Sequence, residues 1–177
     1  PISIARATAD QITEALEGWS DQEVEDRQSL IAQAGAHAGY SLVVLGESSC
    51  TAAIDAGPEL TREQVLTEAE ARFTKAITAA TAANNTDILN MARVGRARAR
   101  ISLKKFADAK ADAAHVPETF VRNANYSAAN SRRENLVFTQ MYRGLFSSVD
   151  PSYRNLTVGG VPDPRVGVLD AGGGGHD

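Results

Sequence analysis

The strongest constraint on the fold of this chain is a helical spacing of apolar residues that recurs through its first 117 residues. Apolar residues three and four positions apart lie on one face of an α-helix. In residues 2–18 this stripe consists of Ala5, Ala9, Ile12 and Leu16, widened by Ile4 and Ala15. Gly, Pro and Asn residues separate successive stripes and end helices. The pattern therefore predicts several separate amphipathic helices.

Two capping boxes predict where helices begin. Ser20 is followed three residues later by Glu23, and Thr61 by Gln64. In each pair the two side chains satisfy N–H groups that the first helical turn leaves free. The expected segments are a helix from the first box to Leu45 stopped by Gly46, a loop over 46–60, a helix from the second box to Asn84, a helix over 87–103 capped by Thr86 and Asp87, and a helix over 106–115.

The composition favours an all-α fold with closely packed helices. Aromatic residues make up only 6% of the chain, whereas Ala is abundant, and small side chains let helices approach one another. We expect tetratricopeptide-like antiparallel helix pairs in residues 1–117. Residues 118–177 should form a mostly irregular extension rich in Gly and Pro, since eight of the 14 glycines follow residue 143.

Few residues suggest catalysis, a metal site or a membrane span. Cys50 is the only cysteine, and the Gly run 172–175 lacks the Lys-Ser/Thr that completes a phosphate-binding loop. The longest strongly apolar run, residues 42–45, is far shorter than the roughly 20 residues of a transmembrane helix. We therefore expect no enzyme activity, no cofactor, no metal site and no transmembrane segment in this chain.

Charge is unevenly distributed along the sequence. Residues 1–91 carry 14 acidic and 5 basic side chains, whereas residues 92–133 carry 3 acidic and 10 basic ones. The stripe of Arg93, Arg96, Arg100 and Lys104 has no interleaved aromatic residue, so we do not expect nucleic-acid binding. These cations could be solvated, pair with the acidic N-terminal helices, or join copies of the chain head to tail.

A family resemblance begins at residues 102–117. Phe106, Ala109 and Ala113 occupy positions where tetratricopeptide-like repeats place an aromatic and two small residues between paired helices. The wider succession resembles the SusD/RagB-like outer-membrane lipoproteins. The segments of this chain that carry the resemblance are, in order, the long helix with Tyr40, the loop with Cys50 and Gly57-Pro58, the helix 69–77, Asn125-Tyr126-Ser127 and residues 153–165.

The resemblance implies a cell-surface lipoprotein of the bacterial outer membrane that captures glycans or oligomeric nutrients for a TonB-dependent transporter. Because sugar rings stack on aromatic side chains, the candidate ligand-binding residues are Trp19, Tyr126, Tyr142 and Tyr153. Each of these could instead be a packing residue. The alternative function is structural, as a repeat subunit of a homopolymer or larger complex whose copies meet through the acidic region 1–91 and the basic region 92–133.

Overall fold

The structure, a computed structural model, describes residues 2–127, 129–130, 133–139, 150, 152 and 154–163. Five helices form the first unit, Pro1–Arg122, and the second unit is Asn123–Asp177. The all-α prediction is confirmed, because helices dominate and the strands have only two or three residues. The helices of the first unit are α1 (Ile2–Glu17), α2 (Arg27–Ser48), α3 (Arg62–Ala82), α4 (Thr86–Ser102) and α5 (Phe106–Ala114).

The capping boxes have different outcomes. Thr61 caps α3, since its side chain accepts from the N–H of Gln64 while the Gln64 side chain accepts from the N–H of Thr61. Ser20 donates to Glu23 through its N–H and its hydroxyl, at 2.7 and 2.8 Å, but this closes a turn instead of opening α2. Asp26 follows with φ 53°, outside the helical region, so α2 begins only at Arg27.

Two further boundary predictions are wrong. Asn85, not Thr86 and Asp87, caps α4, and its side chain accepts from the N–H of Ile88 at 3.1 Å. Gly46 does not stop α2, which continues to Ser48. A Cβ on Gly46 would lie 2.9 Å from Cγ of Leu66 in α3, so this glycine allows α2 and α3 to approach closely.

The predicted loop over 46–60 contains a β-hairpin. Strand β1 (Thr51–Ala53) pairs antiparallel with β2 (Glu59–Thr61), with Ala52 opposite Leu60. Both of these apolar residues pack against the helical core, which explains why the segment is ordered. In the hairpin turn, Asp55 accepts from the buried guanidinium of Arg6 in α1 at 2.5 and 2.8 Å.

Successive helices run antiparallel around a core centred on Phe73. Gly35, Gly39 and Gly46 of α2 face Ala76, Phe73 and Leu66 of α3, in reverse order. The Phe73 ring is fully buried between Gly39 and Gly95 of α4, and it meets the Tyr40 ring edge-on at a centroid distance of 5.1 Å. Because neither glycine has a side chain, α2 and α4 both approach the same ring atoms, Cδ1, Cε1 and Cζ of Phe73. The tetratricopeptide repeat type itself stays a prediction.

The outermost helices bury different faces from those expected. In α1, Ala9 and Leu16 are buried as predicted, but Ile4 and Ile12 are 71% and 47% exposed, and Arg6 and Thr13 take the buried positions. The buried face is rotated so that Arg6 reaches Asp55 in the β1–β2 turn.

In α5 the prediction that Phe106 lies between paired helices is wrong. Phe106 is 64% exposed and Ala113 is exposed, whereas Ala109 is buried against the preceding helix. As the last helix of the unit, α5 has an outer face on which no other described helix of the unit packs.

Ion pairs join α3, α4 and α5. Arg100 of α4 donates to Glu70 of α3 and to Asp112 of α5, both at 2.8 Å, and Arg96 donates to Asp112 at 2.6 Å. Lys105 also donates to Glu70 at 2.6 Å. Two of the four stripe residues, Arg96 and Arg100, therefore form ion pairs within the chain. The partner of both is Asp112 of α5, outside the acidic region 1–91, and only Arg100 also pairs with a carboxylate of that region. The Asp112 carboxylate is buried and accepts from both arginines.

The described part of the second unit contains only short elements. Helix α6 (Leu136–Phe138) is capped by Asn135, and β3 (Thr157–Val158) pairs antiparallel with β4 (Val161–Pro162). Gly159 and Gly160 join these strands with φ of 61° and 81°, which glycine adopts without steric cost. The expectation of an irregular extension thus misses one hairpin, and the glycines from 167 onward lie outside the described residues.

Candidate functional site

A groove between α1 and α3, floored by α2, is a concave surface of the first unit. It consists of two adjoining pockets of about 380 and 360 Å³, within the size range of ligand sites. The first pocket is lined by Asp10, Thr13, Glu14, Glu17, Gly35, Ala71, Arg72 and Lys75. The second is lined by Glu17, Arg27, Gln28, Ile31, Lys75, Thr78 and Ala79.

The walls of the groove come from the charged flanks of α1 and α3. Asp10, Glu14 and Glu17 recur at helical spacing on α1, on the side that faces Arg72 and Lys75 of α3. Arg72 donates to Asp10 at 2.9 Å, and Lys75 donates to Glu17 at 2.6 Å. These pairs hold α1 parallel to α3 across the floor residue Gly35, where a Cβ would already touch Ala76 at 3.4 Å.

The electrostatics of the groove are nearly balanced. Burial works against the charge of Arg72, but hydrogen bonds and charge attraction from Asp10 and Glu68 raise its pKa. Glu14 is exposed, and within the described part of the chain it has neither a salt bridge nor a side-chain hydrogen bond. Its lining carries three carboxylates and three cations, so the groove offers donors and acceptors with no net formal charge.

Trp19 lies in the turn after α1, two residues beyond Glu17, which lines both pockets, but Trp19 itself lines neither. The turn is fixed by Arg27, which lines the second pocket and donates to the Leu16 carbonyl at 3.2 Å and to Asp21 at 2.7 Å. Trp19 is 51% exposed. Of the four predicted aromatics, it is the nearest in the sequence to the groove lining, and its role in binding stays a prediction.

The other three predicted aromatics are not placed in this groove either. Tyr126 is 59% exposed and belongs to the second unit. Tyr142 and Tyr153 lie outside the described residues. A binding site of four aromatics thus stays a prediction, and the groove is defined by polar residues that were not singled out.

The sequence did contain one signal of the groove. Asp10, Glu14 and Glu17 lie three and four residues apart, which puts them on one helical face. No sequence pattern within α1 shows that Arg72 and Lys75, in a helix far along the chain, lie opposite that face.

Other chemistry finds little support among the described residues. They contain no group of three or more His, Cys, Asp or Glu side chains placed to hold a metal ion. None of their helices combines the length and the hydropathy of a membrane-spanning segment. Cys50 is exposed at the edge of the β1–β2 hairpin.

Comparisons with family models, with curated proteins and with solved structures give no match to this chain. The resemblance to SusD/RagB-like proteins therefore remains a prediction from the sequence, and function rests on the groove and on the exposed surfaces of the helices.

Proposed function

We propose that this protein is a non-catalytic binding protein that captures glycans or other oligomeric nutrients in the groove between α1 and α3. The observation that supports this is an open groove of hydrogen-bonding side chains, with half-exposed Trp19 in the turn that follows Glu17 of its lining. Sugars need many donors and acceptors along their edges and a flat apolar surface for one ring face.

The resemblance to SusD/RagB-like proteins extends this proposal to a cellular location and a partner. The protein would act at the bacterial outer membrane, on the cell surface, as part of a lipoprotein that delivers its ligand to a TonB-dependent transporter. Co-purification of this protein with such a transporter from outer membranes tests the proposed location and partner. Recovery of the protein from another compartment contradicts them.

The direct test of binding uses the intrinsic fluorescence of Trp19, the only tryptophan in the chain. We expect one or more malto-, cello-, xylo- or manno-oligosaccharides to change its emission saturably. Lys75→Ala should weaken binding at least tenfold, because Lys75 lines both pockets. Lys110→Ala, which alters an exposed lysine of α5, should leave binding unchanged. Equal effects of the two substitutions would place the ligand outside the groove.

A second function, as a structural repeat subunit, is favoured by the exposed faces of the outer helices. Ile4, Ala5, Ile12 and Ala15 are exposed apolar residues on α1, and Phe106 and Ala113 are exposed on α5. In stacked repeats the terminal faces are normally polar, and apolar ones are covered by the next repeat. Because Arg96, Arg98 and Arg100 already pair within the chain, association would rest on these apolar faces more than on charge.

Light scattering at low and high salt distinguishes self-association through apolar faces from self-association through the acidic and basic regions. Apolar contacts persist at high salt, whereas contacts between the acidic and basic regions are screened. Ile12→Lys should dissociate an apolar assembly, and Val94→Lys, at a similarly exposed position on α4, should not. A monomer under every condition would remove the structural function.

A further inference from the structure

The two pockets of the groove are separated by a single ion pair. Glu17 and Lys75 line both pockets, and their charged atoms lie 2.6 Å apart. The pair thus stands at the junction between the pockets, where α1 and α3 face each other. Both side chains are only partly covered, at 43% and 49% exposure, so water already reaches them.

This ion pair can open at little cost. An exposed Lys–Glu pair contributes little net stability, because its Coulomb attraction is weakened by water and ordering two long side chains costs entropy. Once apart, the Lys75 ammonium has three N–H donors and the Glu17 carboxylate accepts at two oxygens. A ligand that crosses the junction can use all of these groups, whereas a ligand confined to one pocket leaves the pair closed.

Both pockets combine polar and apolar lining. The first has Glu14 and Arg72 beside Ala71. The second has Gln28 beside Ile31, and it lies toward the turn after α1. Each pocket can therefore take one sugar ring, with hydrogen bonds along the ring edge and apolar contact at a ring face.

We propose that the groove binds a neutral oligosaccharide of at least two rings, one in each pocket, with the glycosidic linkage over the Glu17–Lys75 pair. This inference rests on the proposed capture of glycans and adds the minimum length and the charge of the ligand. Neutrality follows from the equal numbers of carboxylates and cations in the groove lining. In the first pocket, Asp10 and Glu17 are paired with cations, which leaves Glu14 to repel an acidic sugar.

The test measures binding of the mono-, di- and trisaccharides of each neutral series by calorimetry, with the matching uronic acid oligomers for comparison. We expect affinity to rise at least tenfold from one ring to two and to change less than threefold from two to three. Glu17→Gln and Lys75→Met should each remove most of the gain at the second ring, while Lys110→Met should preserve it.

The outcomes separate this inference from the proposed function. Equal affinity for one and two rings, with binding still lost in Lys75→Ala, overturns the two-pocket ligand but leaves glycan capture in place. A length dependence that Glu17→Gln and Lys75→Met do not alter also overturns it, as does tighter binding of the uronic acid oligomers. If no glycan of any length binds, the proposed function fails as well.

Discussion

Gly95→Ala tests the packing of Phe73 between two glycines. A Cβ on Gly95 would lie 2.3 Å from Cε1 and Cζ of Phe73, whereas ordinary contact begins near 3.4 Å. The ring would have to move by about 1 Å, the difference between these distances. It is fully buried, with the Tyr40 ring 5.1 Å away, so little space is free for that movement.

The expected magnitude combines two opposing effects. Replacing Gly by Ala inside a helix stabilises it by about 1 kcal/mol. Overpacking a well-filled core costs about 1–3 kcal/mol, and contact with two atoms of an immobile ring belongs in the upper half of that range. Gly95→Ala should therefore lower the free energy of unfolding by about 1–2 kcal/mol.

Gly35→Ala is the matched control for this substitution. Gly35 also lies inside a helix and is buried, but its nearest neighbour to a new Cβ is the Ala76 methyl at 3.4 Å. It should stabilise the protein by up to about 1 kcal/mol. Urea unfolding followed by far-ultraviolet circular dichroism measures both changes.

A Phe73→Leu background isolates the contact between a Cβ at position 95 and the Phe73 ring. In Phe73→Leu the ring atoms are gone, so adding Gly95→Ala should cost nothing or even stabilise that variant. A penalty for Gly95→Ala that persists in this background would refute the reasoning. So would equal shifts for Gly95→Ala and Gly35→Ala in the wild-type background.

Three further predictions follow from local contacts. Burial raises the pKa of Glu70, but hydrogen bonds from Lys105 and Arg100 outweigh burial and lower the pKa in the folded state. The ionised Glu70 therefore stabilises the fold above its unfolded pKa of about 4.3, and this stabilisation is lost as pH falls through the folded pKa. Glu70→Gln should cost about 1–3 kcal/mol at neutral pH, and this difference should shrink in acid; a pH-independent difference in urea unfolding contradicts it. Ala56→Gly should stabilise by about 0.5–1 kcal/mol, because φ 56° strains alanine, and a lower midpoint of thermal unfolding would be inconsistent with that strain. Thr61→Ala should cost about 1 kcal/mol by removing the α3 cap, whereas Thr61→Ser, which keeps the hydroxyl, should cost much less in the same thermal assay.

The candidate site was only partly predictable from the sequence. Trp19 could be proposed because sugar rings stack on aromatic side chains, although it lines neither pocket. The role of Lys75 could not, since it depends on the parallel alignment of α1 and α3 through a helix between them. The pairing of Arg100 with both Glu70 and Asp112 likewise requires three helices to meet at one place.

The sequence by itself determined the all-α class, the order of five helices and the cap at Thr61. These features depend on residues within about four positions of one another, and such neighbours meet as soon as a helix forms. Tertiary structure decided which face of α1 is buried, that Gly46 lies inside α2, and that Phe106 stays exposed. Each of these depends on what lies opposite the residue in space, which is fixed only when distant helices pack.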